Sequence, residues 1–249
     1  MTNTSHSATK VAFITGANRG LGFATAHDLG HQGITVILGV RDVKKGQDAV
    51  KELQAHGIDA EAVEFDASKP ATFSAIRDHI ANKYGKLDIL VNNAGVFIED
   101  MGGNNTITVS QQILKDTFNI NFFSVIELTQ TLLPLLEKAP SGRIVNLSSI
   151  LGSLGLHSDP DSPIAGSKNL AYNASKAALN VFTIHLADAL RGTKIKVNSA
   201  HPGWVKTDMG GEQAPMDIND GIKTSVQLAT LNDNGPNGRF LHMGEALPW

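Results

Sequence analysis

Val11-Ala12-Phe13-Ile14-Thr15-Gly16-Ala17-Asn18-Arg19-Gly20-Leu21-Gly22 sets a short apolar, β-branched run directly before a glycine-rich turn, and an amphipathic stretch follows it. The order strand, turn, helix gives the glycines a purpose. Gly16, Gly20 and Gly22 permit a tight bend and let the backbone approach a pyrophosphate, whose charge suits the start of the next helix. An ordinary glycine-rich loop is the alternative, and the strand-turn-helix setting argues against it.

Working outward, further short runs read as strands: Thr35 to Val40, Ala60 to Phe65, Leu87 to Asn92, Arg143 to Ser148, Lys194 to Ala200 and Gly238 to Leu241. Helical patterns lie between them, at Gly20 to Gly33, Val43 to His56, Pro70 to Tyr84, Ser110 to Lys138, Leu170 to Leu190 and Asn219 to Thr230. Such alternation predicts an α/β fold: a Rossmann-like, doubly wound parallel sheet of about seven strands with helices on both faces. Ligands of such sheets gather at the carboxyl ends of the strands. A polar tail over residues 1–9 and a single domain over 10–249 are expected, with no linker or repeat.

Composition narrows the function classes. The 249 residues are 41% hydrophobic and 18% charged, with a net charge of -3, so no basic surface for nucleic acid is expected. With no cysteine there are no disulfides or thiolate metal sites. No apolar run approaches a membrane span, and Met1 to Thr9 lacks the regions of a signal peptide, so a cytoplasmic location is expected.

The chemistry-bearing residues lie at the predicted strand ends. Strand two ends Gly39-Val40-Arg41, with neutral Val40 where an NAD site commonly places a carboxylate. Arg41, with Arg19 from the turn, suits a 2′-phosphate, so NADPH/NADP is preferred over NADH/NAD. A surface pairing of Arg41 with Asp42 is the alternative. Asp66 is open to two readings, an acceptor for an adenine amino group or a turn residue before Pro70. Asn92-Asn93-Ala94-Gly95 combines amides that tie strands together with small residues that admit a cofactor ring.

Tyr172 and Lys176 share a helix face at i and i+4. A free phenol has a pKa of about 10, and a cation ~4 Å away at an effective dielectric of ~20 contributes up to ~4 kcal/mol toward phenolate. Ser148 and Ser149 close the fifth strand, where a hydroxyl can hold a carbonyl oxygen. His27-Asp28-Leu29-Gly30-His31 has the outline of a zinc helix, yet Gly30 is inside it and Asp28 replaces the needed glutamate. It reads as a solvated helix face, and no metal site is expected.

Together with Asn121 in Asn-Ile-Asn-Phe-Phe and the stretch Pro202-Gly203-Trp204-Val205-Lys206-Thr207-Asp208-Met209, these motifs resemble the short-chain dehydrogenase/reductase family, and within it the carbonyl reductases. The resemblance implies that Ser149 orients a carbonyl, Tyr172 is the acid/base, Lys176 holds the nicotinamide ribose and lowers the tyrosine pKa, and Asn121 supports a proton relay. It further implies cofactor contacts from Gly16, Asn18, Arg19, Leu21, Arg41, Asp66, Asn93, Val205 and Thr207. The implied activity is NADPH-dependent reduction of a ketone or aldehyde, with a small carbonyl or alcohol as substrate. A non-catalytic NADP(H)-sensing regulator on the same scaffold is the rival. The Ser149–Tyr172 spacing is longer than usual in the family, so the segment 150–168 reads either as part of the substrate pocket, with Phe97, Trp204 and Met209, or as a disordered insertion. Self-association is left open.

Overall fold

The computed structural model describes residues 9–99 and 106–249. The expected polar tail, all but Thr9, and residues 100–105 lie outside the described residues. In chain order the elements are β1 (Val11–Thr15), α1 (Gly20–His31), β2 (Thr35–Val40), α2 (Val43–Ala55), β3 (Ala60–Glu64), α3 (Ala71–Tyr84), β4 (Ile89–Asn92) and α4 (Gln111–Phe118). A π-helical turn, Asn119–Phe123, leads into α5 (Ser124–Leu136) and β5 (Arg143–Leu147). Then come α6 (Leu154–Ser158), α7 (Leu170–Ala189), β6 (Lys196–Ala200), α8 (Ile218–Gly221), α9 (Lys223–Ala229), β7 (Phe240–His242) and β8 (Glu245–Ala246).

The sheet order is β3-β2-β1-β4-β5-β6-β7-β8, and every pairing is parallel except β7 with β8. The chain reverses direction across the sheet between β1 and β4, which opens a crevice at their carboxyl ends. Strands covered on both faces are apolar throughout, and β1 and β2 are buried at every position. Their side chains still alternate. Ala12, Ile14, Val36, Leu38 and Val40 join a core with α1, α2 and α9, whereas Val11, Phe13 and Ile37 join the other with α3, α5 and α7.

A polar seam crosses this apolar sheet. Asn92 Nδ2 donates to Asn146 Oδ1 at 2.8 Å, Asn146 Nδ2 donates to Thr183 Oγ1 at 2.8 Å, and Thr183 Oγ1 shares a hydrogen bond with Ser199 Oγ at 2.8 Å. It links β4, β5 and β6 with α7, and all four residues are buried.

Three differences from the sequence reading have local causes. The helix expected over Ser110 to Lys138 is divided by the π turn, where Ser124 N donates to Asn119 O. The helix expected over Asn219 to Thr230 is split into α8 and α9. An eighth strand, missed in the sequence, pairs antiparallel with β7 through Met243 and Gly244, both at positive φ, as a two-residue hairpin favours.

Candidate active site

At the β1 end, Gly16 adopts φ 66°, and Gly16 N donates to Gly39 O at 2.7 Å. A Cβ at Gly22 would fall 2.6 Å from Asn93 Nδ2, so no larger residue fits against the β4 end. The N-terminus of α1 carries no side-chain cap and no acid in its first turn. Its unpaired N–H groups and dipole suit an anion. Asn18 is half-buried, and its amide makes no hydrogen bond among the described residues. These features fit a dinucleotide pyrophosphate.

The other candidates fall around this cradle. Asn93 Nδ2 donates to Thr15 O at 2.8 Å and so locks β4 to the glycine turn. Leu21 packs with the core beneath it, and a Cβ at Gly221 would touch both Leu21 and Val205. Thr207 approaches the Gly20 turn, and its hydroxyl accepts from Gly210 N at 3.1 Å. Arg19 is ion-paired with Asp208 across the loop mouth. Arg41 is exposed and makes no ion pair among the described residues; Asp42 instead caps α2 by accepting from Lys45 N.

Asp66 holds the turn after β3. Its carboxylate accepts from Ser68 Oγ at 2.7 Å and Ser68 N at 3.0 Å, and the Ser68 hydroxyl bond is the main reason its pKa is lowered. The turn role is therefore the one its contacts display.

The chemistry converges from β5 and α7. Tyr172, 8% exposed, is close enough to the Ser149 hydroxyl for that group to act on its pKa, and its ring lies 5.0 Å from the Phe97 centroid. Lys176, 5% exposed, donates from Nζ to Leu147 O at 2.8 Å. A Cβ at Gly95 would lie 3.5 Å from Lys176 Nζ and 3.4 Å from Asn121 Oδ1, so the small residue keeps this floor open.

The expected lowering of the tyrosine pKa by the lysine is not what these groups do alone. Burial pushes the Tyr172 phenol up to about 12, with only partial relief from Ser149. Burial likewise lowers Lys176 to about 8. The ammonium sits 5.7 Å from the tyrosine ring centroid and is directed at Leu147, so desolvation outweighs the pairwise attraction that i, i+4 spacing suggests.

Asn121 is fully buried and spends its amide structurally. Its Oδ1 accepts from Val96 N at 2.8 Å, and its Nδ2 donates to Val96 O at 2.9 Å and to Ser175 Oγ at 3.0 Å. Any relay at this residue must therefore run through its main chain, whose register the π turn displaces.

One residue was missed in the sequence. Glu99, 7% exposed, accepts the Tyr172 N–H at Oε2, 2.8 Å. It thereby caps an orphan donor in the first turn of α7, where a negative charge is favoured, while the N-cap Asn169 makes no side-chain capping bond among the described residues. The available signal was an acid after the apolar run Val96-Phe97-Ile98. Glu99→Ala is expected to cost about 1.5–3 kcal/mol in denaturant unfolding and to lower kcat more than it raises KM, with Glu99→Gln recovering most of both. Equal kcat in Ala and wild-type enzymes would remove its positioning role.

The segment 150–168 is ordered. Gly155 N donates to Trp249 O at 2.9 Å, Lys168 Nζ donates to His157 O at 2.8 Å, and Asn173 Nδ2 donates to Ser167 O at 2.7 Å. Trp204 and Met209 are 57% and 47% exposed, which leaves apolar surface on the loop that carries Val205 and Thr207.

Fold and site together define an α/β oxidoreductase scaffold built around a dinucleotide crevice. A family model described as short chain dehydrogenase matches residues 10–217, and the chain belongs to that family. Within it the chain is carbonyl reductase-like. It is 32% identical to the mouse (Mus musculus) protein named carbonyl reductase (NADPH) 1 over an alignment 286 positions long, gaps included, covering 98% of this chain and 99% of that protein. It is also 32% identical to short-chain dehydrogenase/reductase 1 of Saponaria officinalis, covering 96% of each. Among solved structures, the NADPH-bound carbonyl reductase from chicken fatty liver superposes with a TM-score of 0.84 at 27% identity, covering 97% of this chain and 99% of that one. The carbonyl reductase Sniffer of D. melanogaster gives 0.83 at 30% identity, covering 97% and 99%. Among the described residues no helix is long and apolar enough to cross a membrane.

Proposed function

We propose that this chain is an NADPH-dependent reductase that converts a ketone or aldehyde into an alcohol, reversibly. The observation that carries the reading is the buried Tyr172 phenol, whose pKa the Ser149 hydroxyl acts to lower, one helical turn from an almost fully buried lysine that has no carboxylate partner among the described residues. A buried ammonium without an acid destabilises a fold, and proteins keep such groups where they bind or react.

Gly16, Asn18, Arg19, Gly20, Leu21, Gly22, Arg41, Asn93, Val205 and Thr207 form the surface that would hold the cofactor, with Asp66 shaping its edge. The reduced nicotinamide, when bound, supplies the hydride. Ser149 holds the substrate oxygen by a hydrogen bond. Tyr172 is protonated at neutral pH, so Oη donates its proton to that oxygen as negative charge develops there. The Lys176 ammonium balances the resulting phenolate.

The reading is tested by NADPH consumption across a panel of ketones and aldehydes. Tight NADPH binding without turnover of any member would favour the sensing role instead. Cofactor choice is tested on the unpaired cation: Arg41→Ala removes one charge-assisted contact worth about 1.5–3 kcal/mol, so KM for NADPH should rise about 10- to 100-fold while KM for NADH changes little. Equal use of both cofactors by the wild-type enzyme would contradict it.

A further inference from the structure

Away from the crevice, three imidazoles converge. His27 and His31 lie one turn apart near the end of α1, and His56 caps the end of α2. His27 Nε2 is 3.0 Å from His56 Nδ1 and 3.2 Å from His31 Nε2, and the three ligand atoms all lie within 4.8 Å of one another. A neutral imidazole nitrogen carries one hydrogen or one in-plane lone pair, so His27 Nε2 satisfies one of these contacts but not both. A cation accepting three lone pairs satisfies all three rings. Tetrahedral zinc with bonds of about 2.0–2.1 Å sets its nitrogens about 3.3 Å apart, so two of the three separations need change only by a few tenths of an ångström.

The backbone is shaped to bring His56 there. A Cβ on Gly30 would fall on Ile58 Cγ2, so only glycine lets the α2–β3 loop lie against α1. Gly57 at φ 76° turns the chain, and Ile58, 3% exposed, is the residue inserted. The glycine that weighs against a zinc helix in the sequence is therefore what admits the third ligand, 29 residues after His27. Both helices end at the cluster, so their carbonyl ends favour positive charge, and Asp28 and Glu52 are the acids acting on His27.

We propose that His27, His31 and His56 bind a divalent late first-row cation, Zn²⁺ above all, and that the ion clips the ends of α1 and α2 together. Imidazole suits such ions, and exposed His31 and His56 leave the fourth position to water. The site lies toward the opposite end of α1 from the glycine turn, about 10–16 Å along the helix from Gly20, so the ion does not take part in carbonyl reduction.

The test is calorimetric titration of the metal-free full chain with ZnCl₂ at about pH 7.5, with thermal melts in parallel. One ion per chain and a rise in Tm are expected. His31→Gln and His56→Gln, both at exposed positions, should each weaken binding more than tenfold and abolish the Tm rise, with reductase turnover unchanged. Binding undiminished in both variants, or no saturable uptake by the wild-type chain up to about 100 µM Zn²⁺, would overturn the proposal.

Discussion

Tyr172→Phe should lower the single-turnover rate of carbonyl reduction by about 10²- to 10⁴-fold, the usual worth of a positioned general acid. The substitution deletes one oxygen and leaves the ring in place against Phe97, so packing is kept and the proton is lost. Ser149 would still reach the substrate oxygen, which is why activity should fall steeply without NADPH affinity falling with it. A loss of less than about tenfold, with the fold intact, would end the general-acid assignment.

Lys176→Met should produce a paired effect: turnover lower by about 10²-fold or more, and a protein more stable at pH 7 by about 1–3 kcal/mol. The arithmetic follows from burial. The folded-state pKa is about 8 against about 10.5 for a free lysine, so holding the charged form inside costs on the order of 3 kcal/mol. The lost bond to Leu147 O returns roughly 1 kcal/mol of that. Below pH 8 the lysine is charged in both states and the penalty is fully present. Between about 8 and 10.5 the unfolded chain binds more protons, so wild-type stability rises with pH and the methionine variant's advantage fades. Reduction should decline over the start of the same range, as the ammonium that balances the phenolate loses its proton. Denaturant melts from pH 7 to 10 check the stability claim, and a variant less stable than wild type at pH 7 would refute it.

Much of the fold was legible because period and punctuation agree. β1, β2 and α7 lie within a residue or two of their expected bounds, since long apolar runs and glycine turns leave little choice. The π turn at Asn119–Phe123 was not legible, because Asn121 is held by Val96 and Ser175, contacts that no local pattern announces. β8 is two residues long, too short to have a period. At the site, spacing placed Tyr172 and Lys176 on one helix face but not the burial that raises the phenol's pKa, since burial is a property of the assembled molecule. Glu99 and His56 were invisible for the same reason: each gains meaning only from a partner brought in by folding.

The chain Asn92, Asn146, Thr183 and Ser199 does for β4, β5 and β6 what a keyway does for a shaft. Hydrocarbon alone tolerates a shifted alignment, because one valine or isoleucine substitutes for the next. Here a slip of a single position would turn each amide and hydroxyl away from its mate and strand it in oil, at about 1–3 kcal/mol apiece. The seam thus discriminates against misaligned states more than it strengthens the correct one, and it sets the carboxyl ends of β4 and β5 to a common level, where the proposed reduction would bring a hydride and a proton together.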